Sequence, residues 1–506
     1  MVVAGVAVFI AMQMTIGLFV AKAVRGSSTR FIVAGRGLIL PLAATALMAQ
    51  AVDSNATLGN TDLSSQFGFW AGASLPIGLA ICLFLTGLFF AKPLNSMGLL
   101  TLPDFYRRKY GRAVELVASP IMVLSFTILL AGNLVAGGYL FETFLGTSFT
   151  IGVLLIALAM LLYTLPGGLL SVVYTDLLQV SLAVIGAIAV LVFIAVNYGI
   201  SIPKGMGPFD FGQLTSPASG AYINWATLIA LGLGDIVALD FMERVFAARS
   251  PGTARRACFV GAIGTLVIGI PFSLVALSAG SIFKQLGVKP GGDAILYTLL
   301  QNTAPAILII VVLSAIVAAS LSTGTGAVLA MSSVCARNIF GVRGGEEGRR
   351  DNLLLVTRLL MVPIALFSMF IALRIPQTGI LLTLAFDVAL AGLLVPFVFG
   401  LYWSKANTPA ALAAIISGSV TRLVFFALVP TTYGVKNTLL YIPNHIFSAS
   451  FDGVPTVLSA LVSLISFITV ALATQKSHAP AILELGDREL DEVRPSIRVA
   501  GAEGSE

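Results

Sequence analysis

A chain of 506 residues that is 58% hydrophobic and 10% charged falls far below the roughly 25% charge of a soluble globular domain. That excludes a water-soluble enzyme as its class. The net charge of +6 sits in loops between apolar segments, with no basic stripe interleaved with aromatics, so it points to anionic lipid and not to nucleic acid. Three cysteines and two histidines are scattered along the chain. Neither a disulfide nor a histidine-based metal or hydrolase centre is expected from them.

A bilayer core of about 30 Å takes about 20 helical residues to cross. Thirteen apolar segments meet that need, near residues 2–22, 38–59, 67–91, 114–140, 149–165, 171–198, 222–239, 256–283, 304–334, 353–374, 378–402, 408–430 and 454–474. Lys and Arg fall in every second gap. With the N-terminus outside, 23 of the 29 lie on the cytoplasmic side, among them Arg107, Arg108, Arg255, Arg256 and Arg337. Five lie outside (Lys204, Lys284, Lys289, Arg374 and Lys436), and Arg422 is within a span. This is the positive-inside pattern of a multi-pass protein. Lys22 and Arg25 follow the first apolar run instead of preceding it, so that run reads as an N-out helix and not as a signal peptide. The expectation is a multi-pass plasma-membrane protein, working as a monomer, with its C-terminus in the cytoplasm. The polar tail, 475–506, reads as disordered and solvated.

Two spans depart from smooth hydrophobicity. The second contains Ala51-Val52-Asp53-Ser54-Asn55-Ala56, and the seventh contains Gly232-Leu233-Gly234-Asp235. A corresponding pair of interruptions, one in each half, points to broken helices in a transporter built from inverted repeats. The expected fold is all-α and membrane-integral, with a first repeat over 38–198 and a second over 199–402. Residues 1–37 would be an added helix and loop, and 403–474 two added helices. The ninth span holds the dense hydroxyl run Ala318-Ala319-Ser320-Leu321-Ser322-Thr323-Gly324-Thr325-Gly326. Such hydroxyls either pack helices together or, with carbonyls freed by a break, build an oxygen cage for a hard monovalent cation, by analogy with calcium and magnesium sites.

Five segments resemble the sodium:solute symporter family: Arg30-Phe31-Ile32-Val33-Ala34-Gly35-Arg36, Leu102 to Gly111, Gly167 to Gln179, Arg244 to Ser250, and Ser332 to Phe340. The last has a choline-transporter flavour. The resemblance covers nearly all of residues 1–474. It implies the leucine-transporter type fold, a 5+5 inverted repeat, and coupling to Na+. It also implies a sodium site made from the carbonyls of Ala51, Ser54 and Ala319 and the hydroxyls of Ser322 and Thr323, with Asp53 beside the ion.

A carboxylate at membrane depth is expensive and is either paired or functional. Asn55, Asp235 and Asp387 are therefore candidate solute contacts. The competing reading for the two acids is a pairing with backbone amides or with Arg422. Asp176, Asp240, Glu243 and Arg358 read as gate or loop pairs near the cytoplasmic ends. The function that follows is sodium-coupled import of a small organic solute by alternating access, with an amine-bearing or cationic solute favoured by the acids. Proton coupling through Asp53 is the alternative. A channel lacks its continuous polar lining, and no nucleophile–base constellation for an enzyme is visible.

Overall fold

The computed structural model describes residues 1–289, 294–344, 351–438 and 440–478. The expected disordered tail lies almost wholly outside the described residues. The chain is helical almost throughout: α1 (Val2–Ala21), α2 (Leu40–Ala51), α3 (Ser54–Phe67), α4 (Phe69–Leu85), α5 (Arg112–Leu145), α6 (Phe149–Asn197), α7 (Ala221–Ile229), α8 (Leu239–Ala247), α9 (Pro251–Leu286), α10 (Ala306–Val334), α11 (Asn352–Arg374), α12 (Ile380–Gly392), α13 (Leu394–Tyr402), α14 (Thr408–Leu428) and α15 (Val454–Ala473). A two-stranded hairpin, β1 (Thr431–Thr432) and β2 (Val435–Lys436), stands between α14 and α15.

Among the described residues, nine helices are long and apolar enough to span a bilayer, and eleven if the bent pairs α7–α8 (47°) and α12–α13 (50°) each count as one. The two other expected spans, 38–59 and 149–165, contain shorter apolar helices, Leu40–Ala51 and Phe149–Leu162. The physical reason differs in the two cases. The first is interrupted by the polar run around Asp53. The second is a separate helix from the next span: α6 is two helices that meet at Gly168, whose φ/ψ (52°, −145°) is not helical.

Lipid offers no hydrogen bonds, so irregular backbone at membrane depth needs protein partners. The chain breaks α2 from α3 at Val52–Asp53, α7 from α8 at Ala238, and α12 from α13 at Leu393. Helix starts are capped locally. Ser148, Ser250, Asp351 and Asn407 each accept a backbone N–H of the first turn, which satisfies donors that the helix leaves free.

The basic face of the bundle is tied by two separate devices. Leu38 and Ala248 form a short parallel bridge (Leu38 N to Ala247 O, 3.0 Å; Arg249 N to Leu38 O, 3.0 Å), which links the entry to α2 with the end of α8. Asn95 Nδ2 donates to Val245 O and Ala248 O, both at 2.8 Å. On the other side, two of the family-like segments meet. Asp104, in the short helix Pro103–Tyr110, pairs with Arg337 at 2.9 Å. Asn338 donates to Asp104 (3.0 Å) and to Glu115 (2.8 Å).

Gly168 carries the kink of α6 at φ +52°, in the region that favours glycine. A Cβ there would lie 2.4 Å from Phe31 O and 2.7 Å from the Phe31 ring. Gly168→Ala should destabilise the protein by roughly 1–3 kcal/mol or more, through overpacking and the strained dihedral together. Thermal unfolding in detergent checks this, against Gly252→Ala, whose Cβ would meet nothing within 4 Å.

Candidate functional site: the broken helices and the hydroxyl face

The break between α2 and α3 is held by its own side chains. Val52 (φ −111°, ψ 59°) leaves the helix, and Asp53 (φ −76°, ψ 173°) is extended. Asp53 Oδ1 accepts from Ala56 N at 2.5 Å, so the acid caps α3. Its Oδ2 accepts from Asn133 Nδ2 of α5 at 2.7 Å, and Asn133 Oδ1 accepts from Ser54 Oγ at 2.9 Å. One buried asparagine thus clamps both residues of the break. In the last turn of α2 Met48 O accepts from Val52 N at 2.9 Å, the carbonyls after it have no donor from their own helix, and Ala51 and Ser54 are buried there.

The hydroxyls of α10 face this break and its surroundings. Thr323 Oγ1 donates to Ala49 O (3.4 Å), Ser322 Oγ donates to Asp176 Oδ1 of α6 (2.5 Å), and Ser320 Oγ donates to Asn133 O (2.9 Å). Thr325 Oγ1 accepts from Thr164 Oγ1 at 3.0 Å. With its amide turned to suit its neighbours, Gln179 donates to Ala318 O (3.1 Å) and accepts from Ala319 N (3.3 Å). A void of about 10 Å³ lies beside the break, lined by Val52, Thr57, Ala315 and Ala319 among others, roughly the size of one water. The structure therefore sets Ala319, Ser322 and Thr323 opposite residues 49–52. Ser54 turns its hydroxyl away, toward Asn133.

A buried polar cluster closes the basic face below the hydroxyls. Gln50, with its amide nitrogen toward Asp240 Oδ2 (3.0 Å) and its oxygen toward Arg244 Nη2 (2.8 Å), joins α2 to α8. Ser322 Oγ lies 3.1 Å from the same amide. Arg244 is 0% exposed, and its Nη1 donates to Asp240 O at 3.0 Å. Gly326 leaves the room for this packing: a Cβ there would come 2.9 Å from Gln50 and 3.0 Å from Arg244. Arg244, one of the 23 basic residues counted to the cytoplasmic side, is thus buried within the protein and not in a solvated loop. It is a second buried guanidinium, drawn inward because Asp176 and Asp240 offset its charge.

The three candidate solute contacts are placed differently from one another. Asn55 Oδ1 accepts from Gly379 N at 2.7 Å, and Gly59 packs against Gly379 so closely that a Cβ would lie 2.3 Å from its Cα. Asn55 therefore joins α3 to the start of α12. Asp387 Oδ2 pairs with Arg422 Nε of α14 at 2.5 Å. Asp235 is 0% exposed, and neither carboxylate oxygen has a hydrogen-bond partner. It sits between the wide turn Ala230–Gly234 and the break at Ala238, with the Cys82 thiol of α4 beside it. A cavity of about 400 Å³ opens on the hairpin face between α3, α7, α12 and the hairpin, lined by Leu63, Phe67, Asn224, Thr227, Thr383 and Tyr433 among others. On the α7 side its lining ends at Thr227, about two helical turns before Asp235.

A family model described as the sodium:solute symporter family matches residues 31–418. The chain belongs to the sodium:solute symporter family. Among curated relatives, it is 26% identical over 441 residues to the high affinity choline transporter 1 of Homo sapiens, covering 82% of this chain and 75% of that one. It is 27% identical over 371 residues to the sodium/proline symporter of Salmonella typhimurium, covering 69% and 71%. Among solved structures, a Na+-coupled sialic acid symporter in a substrate-bound outward-open state superposes with a TM-score of 0.72 at 18% identity, over 96% of this chain and 99% of that one. A nucleobase-cation-symport-1 family transporter in a closed conformation gives 0.59 at 13% identity, over 92% and 98%. The chain has the fold of these transporters, the leucine-transporter type that the resemblance implied. Its activity is sodium-coupled symport of a small solute, and sodium is the coupling ion.

Reading the sequence missed Asn133 and Gln50, and gave Gln179 no role of its own. Each is a polar side chain deep within an apolar span, which is itself a signal. Asn133 follows Leu129 to Gly132 in a helix of 34 residues, and Gln50 lies in the last turn before the break.

The cap gives a graded expectation at Asp53. Asparagine also caps a helix, whereas alanine does not. Asp53→Asn should cost less stability than Asp53→Ala, by about 1 kcal/mol. Thermal unfolding of both variants in detergent checks this, and equal losses would contradict the capping role.

Proposed function

We propose that the chain imports a small amine-bearing or cationic solute together with sodium, by alternating access. The ion would be held by the carbonyls of Ala51, Ser54 and Ala319 and the hydroxyls of Ser322 and Thr323, with Asp53 as a fixed charge that orients the break. The hairpin face would be extracellular and the basic face cytoplasmic, with the N-terminus outside, the C-terminus inside and the monomer as the working unit in the plasma membrane. Residues 38–198 and 199–402 would be the two repeats that move against each other.

The observation that carries the solute class is Asp235. A carboxylate buried at a helix break with only the weak donor of the Cys82 thiol beside it is costly, and a bound ammonium would supply the missing charge. The relatives fit this reading: choline bears a permanent positive charge and proline a protonated amine. Asn55 Oδ1 and Asp387 Oδ2 have partners in Gly379 and Arg422, while Asn55 Nδ2 and Asp387 Oδ1 have none. In this reading they hold α3 and α12 around the solute and offer it the one polar atom that each leaves unpartnered.

Sodium acts as a ligand that prefers one conformation. Bound between the break and α10, it bridges two bodies that the buried cluster of Gln50, Asp176, Asp240 and Arg244 keeps shut on the basic face. Release of the ion to the cytoplasm then requires that cluster to part.

Ser322→Ala and Thr323→Ala should each weaken apparent sodium affinity about tenfold, which corresponds to about 1.4 kcal/mol. Sodium-dependent uptake in proteoliposomes measures this, and unchanged sodium activation in both variants would remove the assignment. For the solute, Asp235→Asn should weaken an amine or quaternary ammonium by about tenfold or more, while sodium binding measured alone stays as in the wild type. Sodium-driven uptake of a simple monocarboxylate that Asp235→Asn leaves untouched would overturn the solute class and leave symport standing.

A further inference from the structure

We infer that the protein carries a site for one anionic phospholipid in a groove between α5, α11, α12 and α14. The groove encloses about 540 Å³ and is lined by Ile121, Leu124, Phe370, Leu384, Leu423 and Phe426 among others. It opens sideways between spanning helices, where the surrounding medium is hydrocarbon. A convex helix face meets lipid tails in passing. A recess of this size must be filled, because empty space forfeits the contacts of every atom that lines it. The material at hand to fill it is an acyl chain.

The charges of the groove select the headgroup. Its lining has two cations, Arg374 and Arg422, and no carboxylate. Arg422, on the floor, is already paired with Asp387 at 2.5 Å. Arg374 ends α11, is exposed, and makes no ion pair among the described residues; its guanidinium lies over the Phe370 ring at 5.4 Å. A guanidinium at the rim of an apolar groove, at the end of a spanning helix, meets the layer of lipid phosphates. It binds phosphate through a two-pronged, charge-assisted contact. A zwitterionic headgroup would bring its own cation toward Arg374, so the fit is to a lipid of net negative charge. The acyl chain would lie along Leu384 and Leu423 and cover the Asp387–Arg422 pair, keeping water from it and thereby strengthening it. The site is distinct from the ion and solute positions: none of Ala51, Ser54, Asp235, Ser322 or Thr323 lines it.

Native mass spectrometry tests this on the full chain, purified in detergent and incubated with equal amounts of phosphatidylglycerol and phosphatidylcholine. The wild type should retain phosphatidylglycerol over phosphatidylcholine by about tenfold, the scale of one charge-assisted contact. Arg374→Gln should abolish that preference, and Lys204→Gln, at an exposed cation outside the groove, should leave it. Leu384→Trp, which fills the groove, should reduce retention of both lipids. Stabilisation by sodium in the same samples should be unchanged in all three variants, which separates this site from the ion site. Equal retention of the two lipids by the wild type, a preference that survives Arg374→Gln, or retention that survives Leu384→Trp would each overturn the inference. So would a sterol that displaces the phospholipid with an affinity insensitive to Arg374→Gln.

Discussion

Every part of this structure depends on one constraint: backbone that leaves the helix inside a bilayer has to be satisfied by the protein itself. At Val52–Asp53 the chain meets that constraint with the Asp53 carboxylate, which caps α3 through one oxygen and receives Asn133 through the other. At the end of α2, Ala49 O accepts from Thr323 of α10. A helix broken in this way is both a joint and a set of oxygen ligands. The hydroxyl run of α10 completes the arrangement, because Ser320, Ser322 and Thr323 reach α5, α6 and α2 respectively. In the proposed site, ion binding and the relative position of the helices would be the same interaction.

The closed basic face shows how costly that arrangement is to hold. Four ionisable groups, Asp176, Asp240, Glu243 and Arg244, are buried together, and not all of their atoms find partners. Asp176 Oδ2, Glu243 Oε2 and Arg244 Nε have none. A fully satisfied network would be a permanent core. One that is partly satisfied can come apart when the ion or solute changes the balance, which an alternating-access cycle needs. The bridge between Leu38 and Ala248 ties the basic-face ends of the two broken helices together. The Asp104–Arg337 pair fastens the opposing elements.

Much of this was legible in the sequence, for physical reasons. Span positions follow from hydropathy, and the interruptions at Asp53 and at Gly232–Asp235 stand out because acids and glycines are unfavourable in a lipid-exposed helix. The hydroxyl cluster of α10 was visible because four hydroxyls within six residues of an apolar helix need an explanation. What was not legible depends on tertiary partners. Arg244 reads as a loop cation until Asp240 and Asp176 are seen to surround it. Asn133 is one amide in a long apolar helix, and its role as a clamp exists only once α5 lies against the break. The pairing of Asp387 with Arg422 was one of two open readings, since nothing in the order of residues decides which way a side chain on α12 turns. The break within α6 was legible, because Pro166 and Gly167–Gly168 interrupt the apolar run and the chain leaves helical geometry at Gly168.

The central claim is that sodium bridges the break of α2 and α3 to the hydroxyl face of α10. Hydrogen–deuterium exchange of the purified protein tests it without knowledge of the solute. The account predicts that sodium, and not an equal concentration of potassium, slows exchange of the backbone amides around 51–57 and around 319–326 together, and that Thr323→Ala removes both effects. Sodium protection confined to one of the two segments, or protection that potassium reproduces, would contradict it.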